Sequence, residues 1–210
     1  QNTEPTMSAV TITPSAVTTV DVITCSATGS DLNDGSLSPV YSWANDTTGA
    51  ALGSDSSLDL DSPIFSPNDV VTCTVTFTDG DGASISDSAS VTISNSEPTI
   101  SGTTISGGSY NTDVLTCSAT ASDLDEVVSA TYDWSIALSS IGTGASIDLS
   151  TTAAMPGDDV VCTASATDSY GASASETATL TLLNRAPAAP TISISPATVT
   201  EGIDALLCAI

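Results

Sequence analysis

Cysteine is the first residue type in this chain that could do chemistry, and it recurs in a fixed setting. The stretches VDVITCSAT (20–28), NDVVTC (68–73), NTDVLTCSAT (111–120) and DALLC (204–208) each set an aspartate and an apolar pair ahead of a cysteine. Three chemistries compete for such a pattern: a metal site, a reactive thiol and a structural cross-link. Acidic loops form the second group. Ser30-Asp31-Leu32-Asn33-Asp34 and Ser122-Asp123-Leu124-Asp125-Glu126 are matching clusters. Asp79 and Asp81, and then Asp168, lie in glycine-containing hairpins, on the opposite side or close to the junction between units. Hard oxygen ligands in loops suit Ca²⁺, so Asp31, Asp34, Asp79, Asp81, Asp123, Asp125, Glu126 and Asp168 are its candidate ligands. The competing reading is that these acids favour turns for backbone reasons. Asn45-Asp46-Thr47 is the one N-x-S/T sequon, making Asn45 the candidate glycan acceptor.

Charge removes several function classes. The 210 residues include 25 acids, one base (Arg185) and no histidine, for a net charge of −24. Phosphate neutralisation, and with it nucleic-acid binding, requires cations this chain lacks. Docking on anionic membranes is disfavoured for the same reason, and no apolar run is long enough to span a bilayer. Without histidine or lysine, no Ser–His–Asp, Cys–His or lysine-base centre can be assembled. The acids that remain fall mainly in turns, so no enzyme is expected.

The elements that must position these residues come from repetition. Asn2-Thr3-Glu4-Pro5 returns as Asn95-Ser96-Glu97-Pro98 and as Asn184-Arg185-Ala186-Pro187. Cys25, Cys117 and Cys208 are separated by 92 and 91 positions, and Trp43 and Trp134 by 91. A period of about 90 residues divides the chain into repeat 1 (1–94), repeat 2 (95–183) and the opening strands of a third (184–210). The third repeat carries Leu206, Cys208 and Ile210 in the place of Ile23, Cys25 and Ala27. The chain opens in what reads as a linker, and a piece of a longer, processed protein is expected.

Within each repeat, apolar and polar residues alternate in short runs. Val71, Cys73, Val75 and Phe77 face one way and Thr72, Thr74, Thr76 and Thr78 the other; Val160, Cys162, Ala164 and Ala166 repeat the pattern. Ile23/Cys25/Ala27, Tyr41/Trp43, Leu58/Leu60 and Ala89/Val91/Ile93 are further strand faces, each with a counterpart in repeat 2. Period-two alternation with no helical stretch predicts an all-β fold of two-sheet sandwiches.

Cys25, Trp43, Cys73 and then Cys117, Trp134, Cys162 give the order Cys…Trp…Cys in both repeats. This order resembles the immunoglobulin pattern. With the Tyr-x-Trp pairs, the late Asp-x-x-Gly hairpins and the Asn-x-x-Pro junctions, the chain resembles the PKD-like and cadherin-like repeats of large bacterial and archaeal surface proteins. The resemblance implies tandem immunoglobulin-like sandwiches, each with one inter-sheet disulfide: Cys25 with Cys73 and Cys117 with Cys162, the tryptophan packed on the bridge. Cys208 is left without a partner in this segment. The cysteine spacing agrees, because zinc sites draw ligands in close pairs and often use histidine, and no cation stands near to activate a thiol. Cadherin-like repeats also use loop acids to stiffen junctions with Ca²⁺, the one cofactor considered.

The expected function is structural: a stalk, fibre or adhesin shaft, secreted or anchored at the cell surface, whose partners are the neighbouring repeats of the same chain. Disulfides point to an oxidising compartment. Two alternatives accompany this reading. One is a carbohydrate- or protein-binding accessory module of a secreted enzyme, for which Tyr110 and Tyr170 are the aromatics outside the expected core strands. The other is a subunit of a self-assembling filament or sheath that pairs with like subunits through edge strands.

Overall fold

The computed structural model describes residues 2–191, 193–195, 201 and 207–209. In repeat 1 the alternating runs become ten strands. They are β1 (Thr6–Met7), β2 (Thr11–Thr13), β3 (Val22–Ser26), β4 (Gly29–Asp31), β5 (Gly35–Leu37), β6 (Val40–Asn45), β7 (Ala50–Gly53), β8 (Ser57–Asp59), β9 (Val70–Thr78) and β10 (Ser84–Thr92). Two sheets, ordered β2-β3-β8 and β10-β9-β6-β7, face each other, and a small sheet β1-β4-β5 closes one end. On β9 the side chains of Val71, Cys73, Val75 and Phe77 are buried while the threonines between them are partly or fully exposed. β-Branched residues suit this half-buried, pleated surface.

Repeat 2 follows the same plan with β11 (Thr99–Gly107), β12 (Val114–Ser122), β13 (Thr131–Ile136), β14 (Ser139–Thr143), β15 (Ser146–Asp148), β16 (Asp159–Thr167) and β17 (Ser173–Thr181). Its sheets are β11-β12-β15 and β14-β13-β16-β17. A single 3-10 turn, Leu149–Thr151, follows β15, and the Asp148 carboxylate caps it by accepting from the Ser150 backbone N–H. Beyond repeat 2, β18 (Ser193–Ser195) pairs antiparallel with β19 (Leu207–Ala209), with Ile194 opposite Cys208. Leu206, Ile210 and the side chain of Cys208 lie outside the described residues.

Disulfides Cys25–Cys73 and Cys117–Cys162 join the two sheets of each repeat, each with a Cα–Cα distance of 6.4 Å. Trp43 lies directly across from Cys73 on the neighbouring strand, and Trp134 across from Cys162. Both indoles are essentially fully buried. A buried indole needs an acceptor; Trp43 Nε1 donates to the Asp55 carbonyl at 2.8 Å and Trp134 Nε1 to the Gly144 carbonyl at 2.9 Å.

Among the differences between the two cores is one compensated pair. In repeat 1 the Phe77 ring packs directly on Gly29, leaving no room for a Cβ there. Counting from the cysteines, repeat 2 has Ala166 and Ala121 at these positions. Bulk lost on one strand is partly regained on the other, as close packing requires.

Candidate functional site

The acidic loops are the residues to place. Ser30–Asp34, expected to be a loop, is the end of β4 and the turn into β5, whereas its counterpart in repeat 2 begins with Ser122, the last residue of β12, and continues as a bend. The hairpin between β9 and β10 does not stand opposite this loop. It lies at the same end of repeat 1, where the Gly80 N–H donates to Asp34 Oδ2 at 3.0 Å. In repeat 2 both the N–H and the hydroxyl of Ser169, in the β16–β17 hairpin, donate to Glu126. The two acidic groups of each repeat therefore meet at its linker-facing end.

Most of their carboxylates accept from donors of the chain itself, while Asp123 Oδ2 is buried without a hydrogen-bond partner. Asp79 accepts from the N–H groups of Asp81 and Ala83 at 3.0 and 2.8 Å, and Asp168 from those of Tyr170 and Ala172 at 2.9 and 2.8 Å. In each case the second oxygen takes the amide of the linker asparagine: Asn2 to Asp79 at 2.9 Å, Asn95 to Asp168 at 2.7 Å. Asp31 accepts from the N–H groups of Asn33 and Asp34, and Asp123 from those of Asp125 and Glu126. Thr3 adds its hydroxyl, 3.0 Å from Asp31 Oδ2 and 2.7 Å from Asn33 Oδ1. Asp81 is exposed in its turn.

Donors aimed at a carboxylate favour its charged form. The Asn33 N–H holds the Asp31 carboxyl below its ordinary value, with the Thr3 hydroxyl helping. The Asn2 amide does the same for Asp79 and the Asn95 amide for Asp168, each against the opposing pull of burial. On the sheet surface the Thr103 N–H lowers Glu176.

The linker is thus bound to the repeat that follows it, and one residue also reaches back. Asp125 accepts from the Ser96 N–H of the linker at 2.5 Å and from the Thr19 hydroxyl of repeat 1. Thr19 is itself buried. Pro63 and Phe65 of repeat 1 and Leu124 of repeat 2 line a small cleft beside this contact. At the far end of repeat 2, Arg185 stacks 4.4 Å over the Tyr110 ring and lies 4.0 Å from Asp113.

Among the described residues, no group of three or more His, Cys, Asp or Glu is placed to hold a metal ion. The candidate calcium ligands come together by repeat, and all but Asp81 accept from main-chain, asparagine or hydroxyl donors of the chain itself. Asn45 needs correction as a glycan acceptor. It is buried, its Nδ2 donates to Asp69 at 2.8 Å, and its Oδ1 accepts from the N–H groups of Thr47 and Thr48. A glycan on that nitrogen is incompatible with this packing. Of the two tyrosines outside the core, Tyr110 is engaged by Arg185 and Tyr170 is 43% exposed. Phe65 also lies outside the strands, and it is buried.

In the sequence Asn2 and Asn95 read only as junction markers, and their identical placement two residues ahead of Glu-Pro is the signal that ties them to the acids. Nothing in the sequence announced Thr19. No helix among the described residues is long and apolar enough to cross a membrane.

Neither a protein-family model nor a curated protein matches the sequence. Among the solved structures similar to this chain are two of low identity. One comprises the three N-terminal domains of the highly immunogenic outer capsid protein of bacteriophage RB49, at 13% identity and TM-score 0.34, over 87% of this chain and 71% of that one. The other is from a 1.5-MDa bacterial ice-binding adhesin described for host cell surface retention, at 14% identity and TM-score 0.38, over 93% of this chain and 70% of that one.

Proposed function

We propose that this chain is a load-bearing segment of an extracellular repeat protein, a stalk or adhesin shaft that spaces or displays another part. The observation that carries the proposal is the double engagement of Asp125. One carboxylate ties the linker through Ser96 and the preceding repeat through Thr19, so the junction is built rather than left as a tether. Interfaces between domains of one chain are commonly loose, and a hydrogen-bonded linker restricts that freedom. The two inter-sheet disulfides support both the mechanical role and an oxidising, extracellular setting. The dense negative charge keeps neighbouring shafts apart. No catalytic role is proposed: histidine and lysine are missing from the composition, and the carboxylates of the acidic loops are engaged in holding turns and linker.

Small-angle scattering on the intact chain tests this. Two repeats held end to end at a single maximum dimension are expected. A distribution as broad as that of freely jointed domains would overturn the reading.

A further inference from the structure

Repeats 1 and 2 differ where their two sheets part at the open edge. In repeat 2, Ile147 of β15 reaches over Gly142 of β14: its Cδ1 is 3.0 Å from where a Cβ on Gly142 would stand. In repeat 1 the matching glycine is Gly53, across from Trp43 as Gly142 is across from Trp134. Nothing lies within 4 Å of its corresponding position. The spacing to the next apolar residue is the same in both repeats, five positions from Gly53 to Leu58 and from Gly142 to Ile147, so the difference is that Leu58 does not reach over its glycine as Ile147 does. The sheets are left apart by a cleft of about 520 Å³, lined by Val22, Leu52, Leu58, Ile64 and Phe65. Val22 and Ile64 are 56% and 60% exposed. Counting from the cysteines, repeat 2 carries Ala153 and Ala154 in the places of Ile64 and Phe65. The apolar surface is therefore particular to repeat 1.

Both walls of the cleft are sheet edges. β7 ends the order β10-β9-β6-β7 and β8 ends β2-β3-β8, so each has one side whose backbone groups pair with no other strand in these sheets. Such an edge accepts an added extended strand, with side-chain pockets giving selectivity. Asp55 and Asp59 also border the cleft and are exposed. A second copy of this chain would bring 25 acids and a single base to that border, and like charges facing each other disfavour docking. We propose that the cleft between β7 and β8 of repeat 1 docks an extended segment of another protein in which apolar side chains alternate with lysine or arginine. The site is independent of whether the chain serves as a shaft.

Nuclear magnetic resonance on the intact, isotope-labelled chain tests the proposal. The probes are end-blocked peptides of about seven residues, the length of an ordinary strand: alternating valine and lysine, alternating valine and glutamate, and the valine–lysine peptide N-methylated at alternate amides. The valine–lysine peptide should shift resonances of residues 52–59 and Phe65 while leaving 141–147 unmoved. The glutamate and N-methylated peptides should bind at least about tenfold more weakly. The double variant Asp55→Lys, Asp59→Asn should weaken the valine–lysine peptide by a similar factor. Both positions are exposed, and the new amide oxygen at 59 can still accept from the Asp61 N–H, so folding is preserved. Three results would overturn the proposal. They are no binding at millimolar peptide, shifts spread equally over the acidic loops of both repeats, or peptide-free shifts at 52–59 that grow with protein concentration, which would make a second copy the occupant.

Discussion

The side-chain amide of Asn95 donates to the Asp168 carboxylate at 2.7 Å, and the linker is thereby fastened to the hairpin of the repeat it precedes. Replacing Asn95 with alanine leaves that carboxylate oxygen without its donor. The melting temperature of repeat 2 should fall by several degrees, about 4–8 °C if the bond has ordinary strength in a domain of this size. Asn95→Asp should cost more, because it sets a second carboxylate beside the first. Calorimetry that resolves the two repeats would check both, and repeat 1 should be unmoved.

Acid should loosen the same end of each repeat. Asp31, Asp79 and Asp168 are held below the ordinary 3.8 by their donors. A depressed folded value means that the stabilisation is complete above the unfolded value and is lost as pH falls through the folded one. Melting temperatures should therefore be level from neutral pH to about pH 5 and decline below about pH 3.8. Asp168→Asn should lower the neutral-pH melting temperature of repeat 2 and flatten its acid decline.

Removing a bridge should be costly. Cys25 and Cys73 close a loop with a sequence separation of 48, for which the chain-entropy description gives about 3–4 kcal/mol. The double variant Cys25→Ala, Cys73→Ala should lose stability of that order in a denaturant titration. Non-reducing mass spectrometry of the unaltered chain should find all four cysteines of repeats 1 and 2 closed to alkylation.

The Phe77–Gly29 contact offers a packing test. Gly29→Ala drives a methyl into the ring and should cost about 1–3 kcal/mol. Phe77→Ala alone opens a cavity and should cost about 3–5 kcal/mol. Because the residues touch, the double variant, which installs the pair found in repeat 2, should cost less than the sum.

Thr19→Val keeps the shape of the side chain and removes the hydroxyl that Asp125 accepts. The melting temperatures of the two repeats should change little, while small-angle scattering should show a wider spread of inter-repeat angles. Unchanged scattering would mean that this contact does not govern the junction.

Much of this architecture was legible from side-chain periodicity. The run from Val70 to Thr78 could only be a half-buried strand, since its alternation matches the pleat and its β-branched residues suit it. The Cys-Trp-Cys order placed both bridges. Short elements were harder to see. β7 and β4 are too brief to show a period, and what defines them is pairing with distant strands. The acids were legible as clusters, but whether the hairpin acids stood opposite the others or close to the junction stayed open, because sequence spacing does not reveal which hairpins share an end of a sandwich. Asn45 fits the glycan-acceptor pattern, yet its use is internal, with Asp69, Thr47 and Thr48 consuming its amide. The open edge beside Gly53 depends on whether the apolar side chain five positions on covers the glycine, which Ile147 does and Leu58 does not, and that leaves no pattern in the sequence.

Pulled from its two ends, repeat 1 can pay out only the residues that precede Cys25 and follow Cys73. The bridge shunts tension past the segment between them, whose separation of 48 positions corresponds to a hidden contour of about 160 Å. A force–extension trace should gain that length only after reductant is added, so the redox state of the surroundings sets how far this chain can stretch before it fails.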